Sequence, residues 1–266
     1  VLTLADWIAW RFTGNLQSEL TLAGEAGLLD ITLRKWCDSL LKDIGLSFDP
    51  QAIFSHADIV GSVTKRVSLQ CGIADNTPVY IAGADTQCGL IGLGAGGDGE
   101  IGIIAGWSAP VQMVTPKPLL QNPDKTWTGC HLITDKWVLE SSAGDVGNSY
   151  QWIKSLLIGN GAGTFEDIDD LASLAPPGAD GMSAFLGPSA MNMRTLGLRT
   201  GGLICPVPLT FSNAGRGHIA RAALESFAYA IKANLDQLEE TSSVKAKTVR
   251  LGGGLSQSPI FLSVLC

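Results

Sequence analysis

The sequence predicts an α/β fold, because short apolar strands turn at glycines into helices or into further strands. Residues 79–82 form a short apolar strand pattern, which turns sharply at Gly83-Ala84-Asp85-Thr86 into a helical segment. The longest helical pattern, residues 217–240, carries small and apolar residues at helical spacing, as expected for a helix that packs closely on a sheet. A strand pattern at residues 247–251 and the glycines Gly252-Gly253-Gly254 follow it.

The other elements follow from periodicity and from capping residues. Thr3 and Asp6 resemble a capping box at the start of a first helix, which we expect to end at Gly14. Further helices are predicted at residues 34–44, 87–93 and 165–174, and in a segment that carries Tyr150, Trp152 and Ile153. Further strands are predicted at residues 62–64, 100–105, 110–114 and 137–140, with Gly106-Trp107-Ser108-Ala109 as a tight connection after residue 105.

Length, composition and charge exclude several classes of protein. The chain has 266 residues, 45% of them hydrophobic, which is enough for two domains with their own cores. The net charge of −7 argues against a nucleic-acid binder, because no basic face can dominate. No apolar run reaches the roughly 18 residues of a membrane span, so we expect no membrane partner.

The cysteines and the two ends of the chain carry two further expectations. The 6 cysteines form no C-x-x-C pair and have no zinc spacing, which predicts reduced thiols in a cytoplasmic protein and no metal ligand. Val1 is not an initiator methionine, and the helical patterns run up to both ends. We therefore expect an internal piece of a longer protein.

Three glycine corners are the candidates for chemistry: Gly83-Ala84-Asp85, Gly106-Trp107-Ser108-Ala109 and Gly252-Gly253-Gly254. Such corners expose backbone N–H groups, which can hold phosphate without a P-loop, and the sequence has no G-x-x-x-x-G-K-[ST] motif. The glycine-rich stretch at residues 92–97 follows a helix and precedes a strand. This order is wrong for a dinucleotide-binding loop.

Single residues at these corners have structural alternatives. Asp85 could cap the helix that follows it, accepting from the N–H of Gln87 or Cys88, and the residues alone favour this interpretation. Trp107 could be a buried anchor or a platform that faces an adenine, and the residues alone favour the anchor. His131 and His218 lie beside apolar stretches, which is typical of structural histidines.

Five short motifs, in order along the chain, resemble the FGGY carbohydrate kinases, the family of glycerol, xylulose, ribulose, gluconate and autoinducer kinases. Residues 4–14, LADWIAWRFTG, are similar to the family's LADYLAYRLTG segment. Gly83-Ala84-Asp85-Thr86-Gln87 resembles the family's GxGD turn, and Gly106-Trp107-Ser108-Ala109 stands where the family has its GTSG phosphate hairpin. Gly147, ahead of Trp152, matches a glycine near the nucleotide phosphates. The GGGLSQSP run, from Gly252-Gly253-Gly254 to Ser258 and Pro259, resembles the GGGxxSP nucleotide-binding loop.

The resemblance implies an actin/ribonuclease-H-like ATPase fold, an α/β architecture in which parts of two domains flank a cleft. Residues 1–97 would be the C-terminal part of the sugar-binding N-domain, and residues 98–266 most of the ATP-binding C-domain. Asp85 would be the general base that takes the proton from the sugar hydroxyl, with Thr86 and Gln87 beside it in the substrate site. The residues that would bind the nucleotide are Gly106, Trp107, Ser108, Gly147, Gly252, Gly253, Gly254 and Ser258.

The resemblance also implies the reaction and its participants. The cofactors would be ATP and Mg²⁺, and the acceptor a sugar or polyol, with a ketopentose such as xylulose favoured. Asp85-Thr86-Gln87 is also compatible with an autoinducer-type kinase. Neither nucleic acid nor a membrane is expected as a partner, and a homodimer is allowed.

Two departures from the family pattern leave rival functions open. The family's first strand-turn-strand, which holds magnesium and phosphate, would lie before Val1, so the chain could be an inactive truncated kinase. Trp107 stands in place of the threonine whose hydroxyl faces the phosphates. A non-catalytic regulator that binds nucleotide or sugar on the same fold is therefore the alternative of a different class.

Overall fold

The computed structural model describes residues 2–46, 52–55, 58–195, 200–207 and 214–266. The chain divides into two compact units. Unit 1 comprises Val1–Gly92, Val114–Pro118 and Thr128–Val138, and unit 2 comprises Leu93–Met113, Leu119–Trp127 and Leu139–Cys266. The domain boundary at residues 97/98 stays a prediction.

The elements are numbered in chain order. The α-helices of the described ranges are α1 (Leu4–Thr13), α2 (Leu20–Glu25), α3 (Asp38–Asp43), α4 (Lys65–Cys71), α5 (Asp85–Gly92), α6 (Val146–Leu157), α7 (Glu166–Ser173), α8 (Arg216–Ser242) and α9 (Pro259–Leu265). The strands are β1 (Gln17–Glu19), β2 (Leu29–Asp30), β3 (Lys35–Trp36), β4 (Ala52–Phe54), β5 (Ile59–Ser62), β6 (Pro78–Tyr80), β7 (Glu100–Ile104), β8 (Pro110–Thr115), β9 (Trp127–Cys130), β10 (Trp137–Ser142), β11 (Ser183–Phe185), β12 (Gly202–Ile204) and β13 (Thr248–Gly252). None of these helices is long and apolar enough to cross a bilayer.

The largest sheet has the strand order β13-β7-β8-β10-β9. β13 runs parallel to β7, with Leu251 opposite Ile103, and β8 runs antiparallel to β7, with Val111 opposite the same Ile103. Ile103 and Val111 are buried, as expected for β-branched residues on a covered sheet face. The strands predicted at residues 100–105, 110–114 and 247–251 are confirmed.

Helix α8 packs into the core of unit 2 through small side chains. Ala220, Ala223 and Ala230 are buried in the same cluster as Phe227 and the Ile103 strand residue. Because alanine adds little bulk, the backbone of the helix can come close to its neighbours. The small-residue face of the longest helix is therefore core, as the sequence predicts.

Helix α1 begins and ends at the predicted residues, but its predicted capping box is wrong in one half. Thr3 Oγ1 accepts from the Asp6 N–H (3.2 Å), and Gly14 has φ +81° and donates to Trp10 O (2.7 Å). The Asp6 carboxylate does not return to Thr3. It is buried and accepts from the Glu19 N–H (3.2 Å) instead, because a long-range partner replaces the local one.

The helix predicted at residues 34–44 is wrong in its first part. Arg34 has φ +55°, which is not helical, and β3 pairs antiparallel with β2 before α3 begins at Asp38. The Arg34 guanidinium lies 4.5 Å from the centre of the Trp137 ring and donates to Lys136 O (3.2 Å). These tertiary contacts outweigh the helix propensity of the segment. The strand predicted at residues 62–64 is also displaced, since β5 spans Ile59–Ser62.

Candidate functional site

The Asp85 corner of unit 1 requires glycine at position 83. Gly83 has φ +115°, which side chains other than glycine rarely adopt. A Cβ there would lie 2.6 Å from Leu132 Cδ2 and 3.0 Å from Thr21 Oγ1. The backbone therefore passes these side chains closely before it enters α5 at Asp85, as the predicted strand-to-helix turn requires.

Asp85 is an exposed residue at the first position of α5. Its Oδ1 atom accepts from the adjacent Thr86 N–H (2.6 Å), whereas helix capping predicts the N–H of Gln87 or Cys88 as donor. The Cys88 N–H donates to Ala84 O (2.9 Å). The carboxylate can therefore be reached from solvent and is not used as the predicted cap.

Thr86 and Gln87 differ in solvent exposure. Thr86 is partly exposed, while Gln87 is buried in unit 1. The Gln87 Oε1 atom has no hydrogen-bond partner within the described part of the chain. A buried carbonyl of this kind is costly, so it is an acceptor that a hydroxyl group could satisfy.

Negative charge surrounds the Asp85 corner. Burial raises the pKa of Glu25 above 4.5, and the nearby carboxylates of Asp85 and Glu19 raise it further. Burial likewise raises the pKa of the Cys88 thiol, again with contributions from Glu19 and Asp85. The corner therefore favours protonated over ionised neighbours.

A cavity of about 320 Å³ in unit 2 brings together four of the residues predicted to bind nucleotide. The predicted residues that line it are Gly106, Trp107, Gly147 and Gly254. The chain also contributes Asn148, Tyr150, Gln151 and Phe165, which were not predicted as site residues. Four separate segments of the sequence thus converge on one cavity within unit 2.

Two glycines allow the backbone segments around this cavity to touch. A Cβ at Gly147 would lie 2.2 Å from Gly106 O and 3.0 Å from Trp107 Cα. Gly253 has φ +89°, and a Cβ there would lie 2.5 Å from Ala105 O. Larger residues at these positions would push α6 and the segment after β13 away from the turn between β7 and β8.

Some backbone donors at the cavity are engaged inside the protein. The Gly106 N–H donates to Ser108 O (3.0 Å), which closes the turn, and the Gly147 N–H donates to Trp107 O (2.9 Å). The N–H groups of Trp107 and Gly254 form no hydrogen bond to the residues that the structure describes. Both could donate to a phosphate group.

Trp107 is not a buried anchor. Its side chain is 73% exposed at the mouth of the 320 Å³ cavity, so the interpretation that the residues alone favour is wrong. The tight turn between β7 and β8 leaves the indole no core to enter. Together with Tyr150 and Phe165, whose ring centres are 4.6 Å apart, it gives the cavity an aromatic wall.

The other predicted nucleotide residues lie outside the lining of this cavity. The carbonyl oxygens of Ser108 and Gly252 accept hydrogen bonds from the N–H groups of Gly106 and Ala105, which line the cavity. Gly253 lies against Ala105. Ser258 is 3% exposed; its Oγ accepts from the Phe261 N–H (3.0 Å) as the cap of α9 and donates to the Asp169 carboxylate. Burial raises the pKa of that carboxyl group. In the described structure, Ser258 therefore serves a helix terminus.

Some of the unpredicted lining residues could have been predicted from the sequence, and others could not. Gly147, Tyr150 and Gln151 stand at positions i, i+3 and i+4 of α6, so helical spacing from the predicted glycine could have found the other two. Burial raises the pKa of Tyr150, whose hydroxyl donates to Phe165 O (3.3 Å). Phe165 reaches the cavity only through this tertiary contact.

Backbone N–H groups of the glycine-rich stretch at residues 92–97 bind the carboxylate of Glu100, a residue of the same chain. The Glu100 carboxylate accepts from the N–H groups of Gly96 (3.0 Å) and Gly97 (2.9 Å). The pKa of Glu100 is lowered from 4.5 to about 2. The hydrogen bond from Gly97 has the largest effect, followed by that from Gly96 and then by Arg250. The loop lies between α5 and β7, in the order that the sequence predicts and that a dinucleotide fold lacks.

His131 and His218 are both hydrogen-bonded within the fold. His131 Nδ1 accepts from the Ile133 N–H (2.8 Å). His218 lies 3.0 Å from Asp180 Oδ2 and accepts from the Gly215 N–H (3.2 Å). Their structural interpretation agrees with this geometry.

The two halves of the chain match the two domains of one protein family. Residues 1–92 match the FGGY family of carbohydrate kinases, N-terminal domain, and residues 102–266 match its C-terminal domain. The chain belongs to the FGGY family of carbohydrate kinases. The family resemblance of the five motifs is thereby confirmed.

Curated relatives match this chain over almost its whole length. A putative sugar kinase, YoaC of Bacillus subtilis (strain 168), is 28% identical over 96% of this chain and 52% of its own length. An autoinducer-2 kinase of Yersinia enterocolitica serotype O:8 / biotype 1B is 27% identical over 98% of this chain and 51% of its own length. The chain thus spans about half the length of these relatives.

Solved structures of sugar and polyol kinases share the fold. A ligand-bound xylulose kinase from Lactobacillus acidophilus aligns with a TM-score of 0.83 at 17% identity, covering 99% of this chain and 53% of its own. Plasmodium falciparum glycerol kinase with ADP aligns with a TM-score of 0.81 at 19% identity, covering 99% and 52%. At these identities the likeness concerns the fold alone, and it confirms the predicted actin/ATPase-like class.

Membership of the FGGY family leads one to expect bound magnesium, but no preformed set of metal ligands is seen in the described ranges. They contain no group of three or more His, Cys, Asp or Glu side chains that could hold a metal ion. Proteins usually hold Mg²⁺ through one or two carboxylates together with substrate phosphates. Mg²⁺ stays a prediction.

A second cavity, of about 900 Å³, also lies within unit 2 of this FGGY chain. Trp152, Phe185 and Leu186 line it, and it shares Asn148 with the smaller cavity. Trp152 was predicted only as a helix residue. Helix α6 thus presents residues to both cavities.

Proposed function

We propose that this chain is part of a kinase that transfers a phosphoryl group from ATP to a hydroxyl group of a sugar or polyol, with a ketopentose such as xylulose as the favoured acceptor. The observation that carries the proposal is the exposed carboxylate of Asp85, which stands at a glycine corner of an FGGY chain. The relatives named as sugar kinase and autoinducer-2 kinase support the reaction class.

Asp85 is proposed as the general base. An attacking hydroxyl must be oriented and must lose its proton as its oxygen bonds to phosphorus, and a positioned carboxylate within hydrogen-bond reach performs both tasks. The Asp85 side chain is exposed at the start of α5, where it can meet such a hydroxyl. Gln87 Oε1, a buried acceptor without a partner in the described chain, supports a role for the same corner in holding a second hydroxyl.

The 320 Å³ cavity is proposed to receive the nucleotide. The free N–H groups of Trp107 and Gly254 would donate to phosphate oxygens, where negative charge develops during transfer. The partly exposed ring of Phe165, backed by the buried Tyr150, suits a planar base. ATP, when bound, supplies the phosphoryl group; the chain's own residues orient it.

A second candidate function follows from Trp107. An exposed indole at the cavity mouth, in place of the family's small hydroxyl residue, would suit a regulator that binds nucleotide without transferring phosphate. This candidate and the kinase predict the same nucleotide binding. They differ only in turnover.

The test is a substrate panel with the longest natural reading frame that contains this chain. ADP release would be measured with xylulose, ribulose, glycerol, gluconate and autoinducer-2 as acceptors. We expect acceptor-dependent ADP release that is fastest with one ketopentose. ATP binding by calorimetry without acceptor-dependent release would contradict the kinase and support the regulator, and fastest release with autoinducer-2 would contradict the ketopentose.

A further inference from the structure

A buried hydrogen-bonded network lies beneath the Asp85 corner in unit 1. Thr21 and Glu19 are 4% and 1% exposed. Glu19 Oε2 accepts from the N–H groups of Thr21 (2.8 Å) and Leu22 (3.1 Å), so the carboxylate caps the start of α2. The Glu19 N–H in turn donates to Asp6 Oδ1 (3.2 Å), which ties the cap to α1.

Thr21 connects this network to the corner. Its hydroxyl lies 2.6 Å from Glu19 Oε2 and 2.8 Å from the backbone nitrogen of Ala84. Because a backbone N–H can only donate, the hydroxyl accepts from Ala84 and gives its own proton to Glu19. One side chain therefore satisfies both a buried carboxylate and a buried N–H.

Both backbone polar groups of Ala84 are hydrogen-bonded. Its N–H is bound by Thr21, and its carbonyl accepts from the Cys88 N–H (2.9 Å) in the first turn of α5. Gly83, just before it, approaches the same Thr21 hydroxyl so closely that a Cβ would lie 3.0 Å from the oxygen. The backbone that precedes Asp85 is thus fixed, while the Asp85 side chain is exposed.

We propose that Thr21 is a positioning residue for Asp85: its hydroxyl, held by Glu19, fixes the Ala84 N–H and thereby the direction in which the Asp85 carboxylate projects. This inference rests on the proposed function of Asp85 as the base. Displacement of a catalytic group by about 1 Å can cost roughly 100-fold in rate, so a clamp of this kind has a measurable effect on turnover.

The test compares Thr21→Val with Thr21→Ser in the longest natural reading frame that contains this chain. Valine keeps the shape but leaves the Ala84 N–H without an acceptor, and we expect kcat to fall by about 10- to 100-fold while the KM for ATP stays within about twofold. Serine keeps the hydroxyl and should restore most of kcat. Thr64→Val, which removes the capping hydroxyl of α4 (Oγ1 to Val67 N, 3.5 Å), is the matched control and should leave kcat unchanged.

Asp85→Asn separates this inference from the proposed function. If Thr21 acts through Asp85, adding Thr21→Val to Asp85→Asn should lower the residual rate by no more than about twofold, because the two residues act as a unit. Undiminished turnover in Asp85→Asn would overturn the base and the inference together. Full kcat in folded Thr21→Val, beside a loss in Asp85→Asn, would overturn the inference alone.

Amide hydrogen exchange keeps the inference testable if Thr21→Val does not fold. In the unmodified protein, the Ala84 N–H should exchange as slowly as the buried amides of α5, since both would open only with the unit. Exchange at the rate of an exposed loop amide would show that Thr21 does not hold it. That result would overturn the proposal without any variant.

Discussion

Side-chain exposure separates the residues that can meet a ligand from those that hold the fold. Asp85 and Trp107 are exposed, and the sequence places both in the family's site motifs. Ser258 belongs to such a motif as well, but it is buried as the cap of α9. A motif therefore identifies a corner, and only the fold decides which of its side chains can reach a ligand.

Trp107→Thr should leave ATP affinity unchanged or improve it. The indole is 73% exposed, and threonine keeps the free backbone N–H while it opens the mouth of the cavity. Isothermal titration calorimetry with ATP measures the effect. Trp127→Thr, a partly exposed tryptophan at the start of β9, is the control. A large loss of affinity confined to Trp107→Thr would mean that the indole contacts the nucleotide.

At single positions, the sequence predicts backbone better than side-chain environment. The corner at Gly83 could be predicted, because a strand that turns directly into a helix needs a left-handed or strained residue there. The cap at Ser258 could also be predicted, since Ser followed by Pro259 is typical of a helix start. The contact of Phe165 with Tyr150 could not be predicted, because it depends on how α6 and α7 pack.

Glycine contacts join elements of unit 2 around the nucleotide candidate cavity. Gly147, in the first turn of α6, meets the backbone of Gly106, and Gly253 meets that of Ala105. Both contacts are backbone to backbone, so the neighbour has no flexible side chain that could move aside. The separation of these elements is therefore set by the absence of a Cβ.

Gly147→Ala should weaken both the fold and nucleotide binding. The added Cβ would lie 2.2 Å from Gly106 O, and overpacking of this kind typically costs about 1–3 kcal/mol. Urea unfolding monitored by fluorescence measures the stability, and calorimetry measures ATP affinity. Gly202→Ala, where a Cβ meets nothing within 4 Å, is the control. Equal midpoints for the two variants would contradict the close contact.

Glu100→Gln should remove part of the acid sensitivity of the protein. The N–H groups of Gly97 and Gly96, together with Arg250, hold the pKa of Glu100 at about 2, below the usual 4.5. A depressed pKa stabilises the folded state above about pH 4.5, and this contribution is lost as the pH falls towards 2. The Tm of the variant should therefore change less between pH 5 and pH 2, and an unaltered pH profile would contradict this assignment. Glu240→Gln, on α8, controls for the loss of one carboxylate.

The sequence predicts long elements more reliably than short ones. The strands of the main sheet and the long helix α8 were predicted, because their apolar patterns extend over several residues. The short helices α2 and α4 were not predicted. Helix α2 is capped by Glu19, an unusual capping residue. Arg34, which contacts Trp137, lies in the turn before β3 and not in a helix. Such cases depend on partners far along the chain.

Over the whole molecule, the candidate site residues fall into two groups. Asp85, Thr86 and Gln87 belong to unit 1, whereas the residues around the 320 Å³ cavity belong to unit 2. The proposed function assigns proton transfer to the first group and nucleotide binding to the second. Substitutions in the two units should therefore affect different measured quantities.

The most direct test of this account is the rate of phosphoryl transfer in Asp85→Asn, measured with the preferred acceptor in the longest natural reading frame that contains this chain. Loss of a general base typically lowers the rate by about 10²- to 10⁴-fold, and we expect a loss in this range with ATP affinity unchanged. Asp75→Asn, an exposed turn residue of the same unit, should keep the full rate. Undiminished transfer by Asp85→Asn would contradict the assignment of Asp85 as the base.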